Sequence, residues 1–175
     1  MRKEMEQFIA SDMKTVDIPH HDDVNVLYEW HRLRSPLRLG WNTVIMQMCK
    51  WLPLKTKVFF YRHLIGMRIG KNVGIAPEVL IDPFYPELIT IEDNVIIGWG
   101  TRILCHEFTE THIRFGKVHI KHNALLGAFS TVRAGVTVGE GAVVGMDSLL
   151  LKDVPAKELW GGVPAKKIRK LKTPL

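Results

Sequence analysis

Cysteine is scarce in this sequence. Cys49 and Cys105 are its two thiols, too few and too far apart for a disulfide framework or a cysteine-rich metal site. Their scarcity favours a reducing, cytoplasmic setting. No stretch reaches the roughly 18–20 uncharged apolar residues that a membrane-spanning helix needs. The N-terminal MRKEMEQFIASDMK lacks the apolar core and small-residue cleavage site of a signal peptide. Zinc-finger spacing, an RNA-binding signature and a basic heptad region are also missing, which puts nucleic acid last among partners. Acidic residues are outnumbered, 18 against 24 Lys and Arg, for a net charge of +6. That excess points to an anionic partner, with a phosphate-bearing cofactor or an anionic membrane surface ahead of nucleic acid.

What the sequence has in abundance is a beat of six. Ile120, Leu126, Val132, Val138, Val144 and Leu150 are all branched aliphatics, one every sixth residue. Four residues after each of the first five stand Ala124, Ser130, Val136, Ala142 and Ser148, all small or β-branched. A period of 6 fits neither a helix nor one alternating strand. It fits a repeat in which each hexad makes one short strand and one turn, three hexads to a triangular coil. The same beat begins earlier, at Ile69, Ile75 and Ile81, and resumes at Ile91, Ile97 and Ile103. No hexad can bury anything alone, so stability must come from stacking coils into a continuous aliphatic core. Four to five coils are expected.

Two interruptions divide the beat, and loops on a rigid scaffold are where function collects. The first, at about 82–90, carries Pro83 and Pro86 and cannot be a central ladder. The second, at about 107–117, is polar with aromatics and reads as a projecting loop.

Ahead of the repeat, residues 1–23 read as a loose or partner-dependent leader. His20, His21, Asp22 and Asp23 in tandem suit a solvated turn better than a metal site. Leu37, Trp41, Val44, Ile45, Met48 and Leu52 then share one helical face, and Leu54, Val58, Tyr61 and Ile65 another. Lys50, Lys55, Lys57 and Arg62 flank these stripes. A helical hairpin packed on its own domain or on a partner subunit is favoured over peripheral contact with a membrane. Beyond the repeat, the basic Lys166-Lys-Ile-Arg-Lys reads as a helix capping the open end of the stack.

IGKNV at 69–73, IDPFYPELITIEDNVIIG at 81–98, ILCHEFT at 103–109, LLGAFSTVRAGVTVGEGAVVG at 125–145 and KDVPAKELWGGVPAKKI at 152–168 together resemble the hexapeptide-repeat acyltransferases. The likeness covers about 66–171 and is greatest to the branch of maltose and galactoside O-acetyltransferases and polysaccharide-associated acetyltransferases. It implies an all-β core, a left-handed parallel β-helix of coils over 66–155 with a C-terminal cap and basic tail at 156–175. The helical or extended region at 1–65 lies outside the likeness and is read from its periodicity alone. It also implies a homotrimer with active sites between subunits, and acetyl-CoA as co-substrate.

In that family the catalytic histidine ends a hexad where the wall meets an extended loop, the place His106 holds here. Acetyl transfer to a hydroxyl requires a base near neutrality, and a neutral imidazole suits that task. Asp82 matches acidic residues near the family's acceptor site and equally suits a turn before Pro83. Where sugar acetyltransferases carry a substrate-contacting asparagine shortly before that acid, this chain has Ala76, Pro77 and Glu78. Gly127 and Ala128 match the small residues beside the pantetheine arm of acetyl-CoA. Lys152, Lys166 and Arg169 match basic residues that meet its phosphates. Trp160 suits stacking on adenine or sealing the last coil, and Cys105 reads as structural.

The γ-class carbonic anhydrases use the same fold with three zinc-binding histidines, two of them five residues apart. His106, His112, His119 and His122 contain no such pair, and His119 with His122 falls short of the three ligands a site needs. No metal is therefore expected. An inactive oligomeric scaffold is the remaining alternative. The expected activity is transfer of acetyl from acetyl-CoA to a hydroxyl of a small sugar or glycoconjugate, without an acyl-enzyme.

Overall fold

In the computed structural model, which describes residues 2–20 and 25–172, the beat of six becomes three walls of short parallel strands. The first wall joins Arg68–Ile69, Ile89–Ile91, Val118–Ile120 and Thr137–Val138. The second joins Gly74–Ile75, Ile96–Ile97, Leu125–Leu126 and Val143–Val144, with Glu158–Gly161 added at the end. Leu80–Ile81, Arg102–Ile103, Thr131–Val132 and Leu149–Leu150 form the third. The chain visits the walls in rotation, so four coils stack from Arg68 to Leu150.

Register explains the aliphatic beat. Ile69 pairs with Ile91, Ile91 with Ile120 and Ile120 with Val138, and the other two walls repeat the pattern. All twelve of these aliphatics are buried. Fully burying one such side chain is worth roughly 1.5–3 kcal/mol, which two-residue strands cannot obtain without neighbours above and below. The corners between the first and second walls are built alike. Asn72, Asn94, Asn123 and Gly141 all sit at φ between 52 and 60°, a left-handed conformation that asparagine and glycine tolerate. Asn72 donates from Nδ2 to Asn94 Oδ1 at 2.9 Å, so successive corners also bond to each other.

The N-terminal third corrects two expectations. The leader is ordered: helix α1 (Arg2–Ala10) buries Met5 and Phe8, and the strand Thr15–Pro19 follows. That strand pairs antiparallel with His112–Gly116, which pairs with His106–Phe108. The second interruption is thus a three-stranded antiparallel sheet rather than a loop, because the alternation of Val16 and Ile18 meets that of Ile113 and Phe115 in register. His20 is buried, and its N–H donates to the Thr111 carbonyl at 2.8 Å. His21, Asp22 and Asp23 lie outside the described residues.

A 3-10 turn leads into α2 (Trp30–Leu33), and α3 (Pro36–Cys49) and α4 (Leu54–His63) follow. Pro36 at the first turn of α3 suits a position whose N–H is unused anyway. α4 packs as expected, with Val58 and Tyr61 buried on it and Ile65 just beyond its end. The α3 stripe does not: Ile45 is buried with Asn42 and Cys49, while Leu37, Trp41, Val44 and Met48 face outward. Lys57 is buried and donates its ammonium to the carbonyls of Lys50, Ile75 and Ala76 at 3.1–3.3 Å, locking α4 onto the first coil.

The basic tail is also corrected. Lys166–Lys170 is a strand, antiparallel to Glu158–Gly161 at the edge of the second wall. An uncovered sheet edge exposes backbone donors and acceptors that a returning strand satisfies better than a helix. Trp160 continues the wall beside Val144 and donates from its indole to Glu158 Oε2 at 2.9 Å.

Close stacking sets a test at Gly127. A Cβ there would stand 2.5 Å from the backbone nitrogen of Met146 in the next coil. Gly127→Ala is expected to cost roughly 1–3 kcal/mol of stability in urea unfolding, as overpacking does elsewhere.

Candidate active site

The two interruptions meet at one corner. Ile81 and Ile103 pair on the third wall, so Asp82 and the residues after Ile103 emerge side by side from successive coils. Asp82 is fully buried. Its Oδ2 accepts from the backbone N–H of Cys105 at 2.9 Å and of His106 at 3.1 Å, and its Oδ1 from Phe84 N–H at 2.9 Å. The same Oδ2 takes a short hydrogen bond from His106 Nδ1. Burial alone would push this carboxyl up. The hydrogen bond and positive charge available from His106, with the backbone donors, outweigh that and hold it below its ordinary value of 3.8. An ionised carboxylate on Nδ1 keeps the proton on that nitrogen and leaves the Nε2 lone pair free. No described residue hydrogen-bonds Nε2.

Aromatic rings fix the imidazole's plane. Phe84 and Phe108 lie 4.7 and 4.8 Å from it, centroid to centroid, with Phe115 at 6.4 Å. His106 and Phe108 share one face of their strand, so Glu107 points the other way. There it meets Arg133 in a two-pronged pair at 2.5 and 2.7 Å, and Arg114 pairs similarly with Asp17 at 2.7 and 2.9 Å. These pairs tie the sheet that carries His106 both to the third wall and to the leader strand. Asn42 of α3 donates to the Pro83 carbonyl at 2.8 Å and braces the other side. Cys105 is wholly buried, its Sγ bonded to the Tyr85 carbonyl at 3.3 Å, and burial pushes its thiol well up, away from the nucleophilic thiolate.

His106 and Asp82 are thus in direct contact. The residues matched to cofactor binding are elsewhere. Gly127 and Ala128 turn the corner from the second wall to the third, Gly127 buried and Ala128 half-buried. Lys152 is exposed just after Leu150, and Lys166 and Arg169 are exposed on the edge strand. No hydrogen bond or ion pair among the described residues joins these five to the dyad. Sequence reasoning overlooked Phe129 beside them, a half-exposed ring held at φ 60°. Gly100 leaves the space it needs, since a Cβ there would stand 2.5 Å from that ring. It also overlooked the Phe84 and Phe108 walls and the Glu107–Arg133 pair. The alternation of His-Glu-Phe at 106–108 was the available signal.

His119 and His122 both engage Glu92, at 2.6 and 3.0 Å, and His122 Nε2 also faces Glu140 at 3.3 Å. Among the described residues no group of three or more His, Cys, Asp or Glu side chains is arranged to hold a metal ion. No helix among the described residues is long and apolar enough to cross a membrane.

No family model matches the sequence. The chain is 36% identical over 138 residues to the candidate acetyltransferase YvoF of Bacillus subtilis (strain 168), covering 77% of this chain and 80% of YvoF. Its fold is similar to the hexapeptide-repeat containing acetyltransferase VCA0836 of Vibrio cholerae O1 biovar eltor, solved with acetyl coenzyme A. That likeness has a TM-score of 0.63 at 26% identity and covers 88% of this chain and 94% of the other. It also resembles a maltose O-acetyltransferase from Clostridium difficile 630, TM-score 0.63 at 17% identity, over 89% and 93% of the two chains, a likeness of fold alone. The chain belongs to the hexapeptide-repeat acetyltransferases.

The dyad makes a pH-dependent prediction. Because the folded Asp82 carboxyl titrates below 3.8, its contribution to stability is present above that value and is lost as pH falls through the folded value. Acid titration of stability should therefore steepen below about pH 4, and Asp82→Asn should be less stable near neutrality and flatter across that window.

Proposed function

We propose that this protein transfers the acetyl group of acetyl-CoA directly to a hydroxyl of a sugar or glycoconjugate, with His106 as general base and Asp82 as its positioning residue. The observation that carries this reading is the His106–Asp82 contact at the meeting of the two interruptions. The acceptor hydroxyl gives its proton to Nε2 while its oxygen attacks the thioester carbonyl carbon. The tetrahedral intermediate collapses by breaking the carbon–sulfur bond, and the CoA thiolate takes the proton back from the imidazolium. Asp82 stabilises that imidazolium and keeps the ring in its working tautomer. A buried Cys105 with a raised thiol supports direct transfer over a thioester intermediate on the enzyme.

The acetyl-CoA complex of the Vibrio relative supports the co-substrate. The motifs at 81–98 and 103–109 support the sugar class. We assign the stacked coils the left-handed sense of the family and place the working site between subunits of a homotrimer. A neighbouring subunit would bring the Gly127–Ala128 corner, Lys152, Lys166 and Arg169 toward a dyad that they do not reach within one chain. The phosphates and 3′-phosphate of CoA suit these exposed cations.

Thiol release from acetyl-CoA, measured across sugars, nucleotide-sugars and amines, tests the reading. His106→Ala should lower kcat by roughly 10²–10⁴-fold while CoA binding by calorimetry is kept. Turnover by His106→Ala at the parent rate would overturn the mechanism, and turnover with amines alone would overturn the acceptor class. Asp82→Asn should lower kcat by roughly 10²-fold or more with little change in the KM for acetyl-CoA.

A further inference from the structure

From Trp30 to Pro77 the sequence carries nine Lys or Arg and no Asp or Glu, whereas the other 127 residues carry 15 Lys or Arg against 18 Asp or Glu. The whole positive charge of the protein is therefore concentrated in one segment, the one that forms α2, α3, α4 and the start of the first coil. Only Arg32 and Arg34 of the nine have carboxylate partners among the described residues. Arg38 and Arg62 spend their donors on backbone carbonyls and keep their charge unneutralised. Among the described residues Lys50 and Lys55 have no anionic partner.

On the same segment lies an uncovered apolar face. Leu37, Trp41, Val44 and Met48 recur at helical spacing along α3, with Leu37 86% and Met48 59% exposed. Trp51, 69% exposed, continues the face past the helix end and touches Trp99 edge-on. Leu54 and Phe59 extend it onto α4. The Trp41 indole donates to the Leu64 carbonyl, which fixes the ring at the helix–helix seam.

We infer that this face docks on an anionic phospholipid surface, lying in the headgroup region with Trp41 and Trp51 as interfacial anchors. Apolar side chains with two tryptophans, on a segment that carries nine cations and no acid of its own, match such a surface in both polarity and charge. A two-fold contact with a second copy fits poorly, because it would bring two clusters of cations together; a head-to-tail contact would set this face against a different one, and the solution mass separates that case. The inference is independent of the acceptor and of the chemistry at His106.

Cosedimentation of the full-length protein with vesicles tests it, using phosphatidylcholine alone and phosphatidylcholine mixed with phosphatidylglycerol. The protein should partition onto the anionic vesicles, leave them at high salt and stay in solution with the neutral ones. Lys50→Gln and Lys55→Gln should each weaken binding by roughly fivefold. Val44→Glu with Met48→Glu should abolish binding while thiol release with a soluble acceptor is unchanged. Equal binding to both vesicle types, or none to either, would overturn the inference. So would a drop in the solution mass of the double variant, because a second copy would then be what covers the face.

Discussion

Everything in this protein depends on an aliphatic side chain standing directly above another every six residues. A strand of two residues has no independent stability, and its ladder bonds matter only when the neighbouring coils hold still. Stacking Ile69 on Ile91 on Ile120 on Val138, and likewise on the other walls, supplies that stillness. The constraint is strict along each wall and loose at each corner. A wall residue must match those above and below, whereas a corner can admit a long insertion without disturbing the stack. Chemistry is therefore confined to corners, and both insertions of this chain leave from the same one.

That confinement produces the dyad. Because Ile81 and Ile103 are in register, the residues just beyond them are forced together whatever the intervening loop does. Asp82 is held by the backbone N–H groups of the very turn that presents His106, so carboxylate and imidazole are positioned by the ladder rather than by flexible side chains. Burial makes an ionised carboxylate costly, and three backbone donors together with the imidazole offset the cost. The net result is a carboxyl that stays charged at neutral pH and an imidazole locked in one tautomer.

The beat made the walls and a count of four to five coils legible from residues alone, since both follow from a period that can be counted, whereas Asp82 and His106 were singled out by the resemblance to the family. What misled was non-local pairing. The leader looked loose because its partner, His112–Gly116, lies almost a hundred residues away and carries no local signal. The tail looked helical because four basic residues among five suit a helix end, yet its conformation was decided by the open edge of Glu158–Gly161. The stripe of α3 was real as a periodicity. Its direction was not legible, because a helix whose polar Asn42 and small Cys49 face inward inverts the usual assignment. Asn42 is inward because Pro83 offers it a carbonyl, and that carbonyl belongs to the corner that holds Asp82 and His106.

The same linkage orders the molecule along its axis. α4 and Lys57 close the first coil, the edge strand Lys166–Lys170 extends from the last, and His106 follows the third-wall strand of the second coil. At about 4.8 Å per coil, the dyad lies one layer from the helical end and two from the coil that precedes the basic strand. Cations thus occur at both ends, but in different company. At the helical end they border exposed tryptophan, leucine and methionine with no acid, which suits a surface of lipid headgroups. At the other end, Lys167 is already paired with Glu158 while Lys166 and Arg169 stand exposed, which suits discrete phosphates of a soluble molecule.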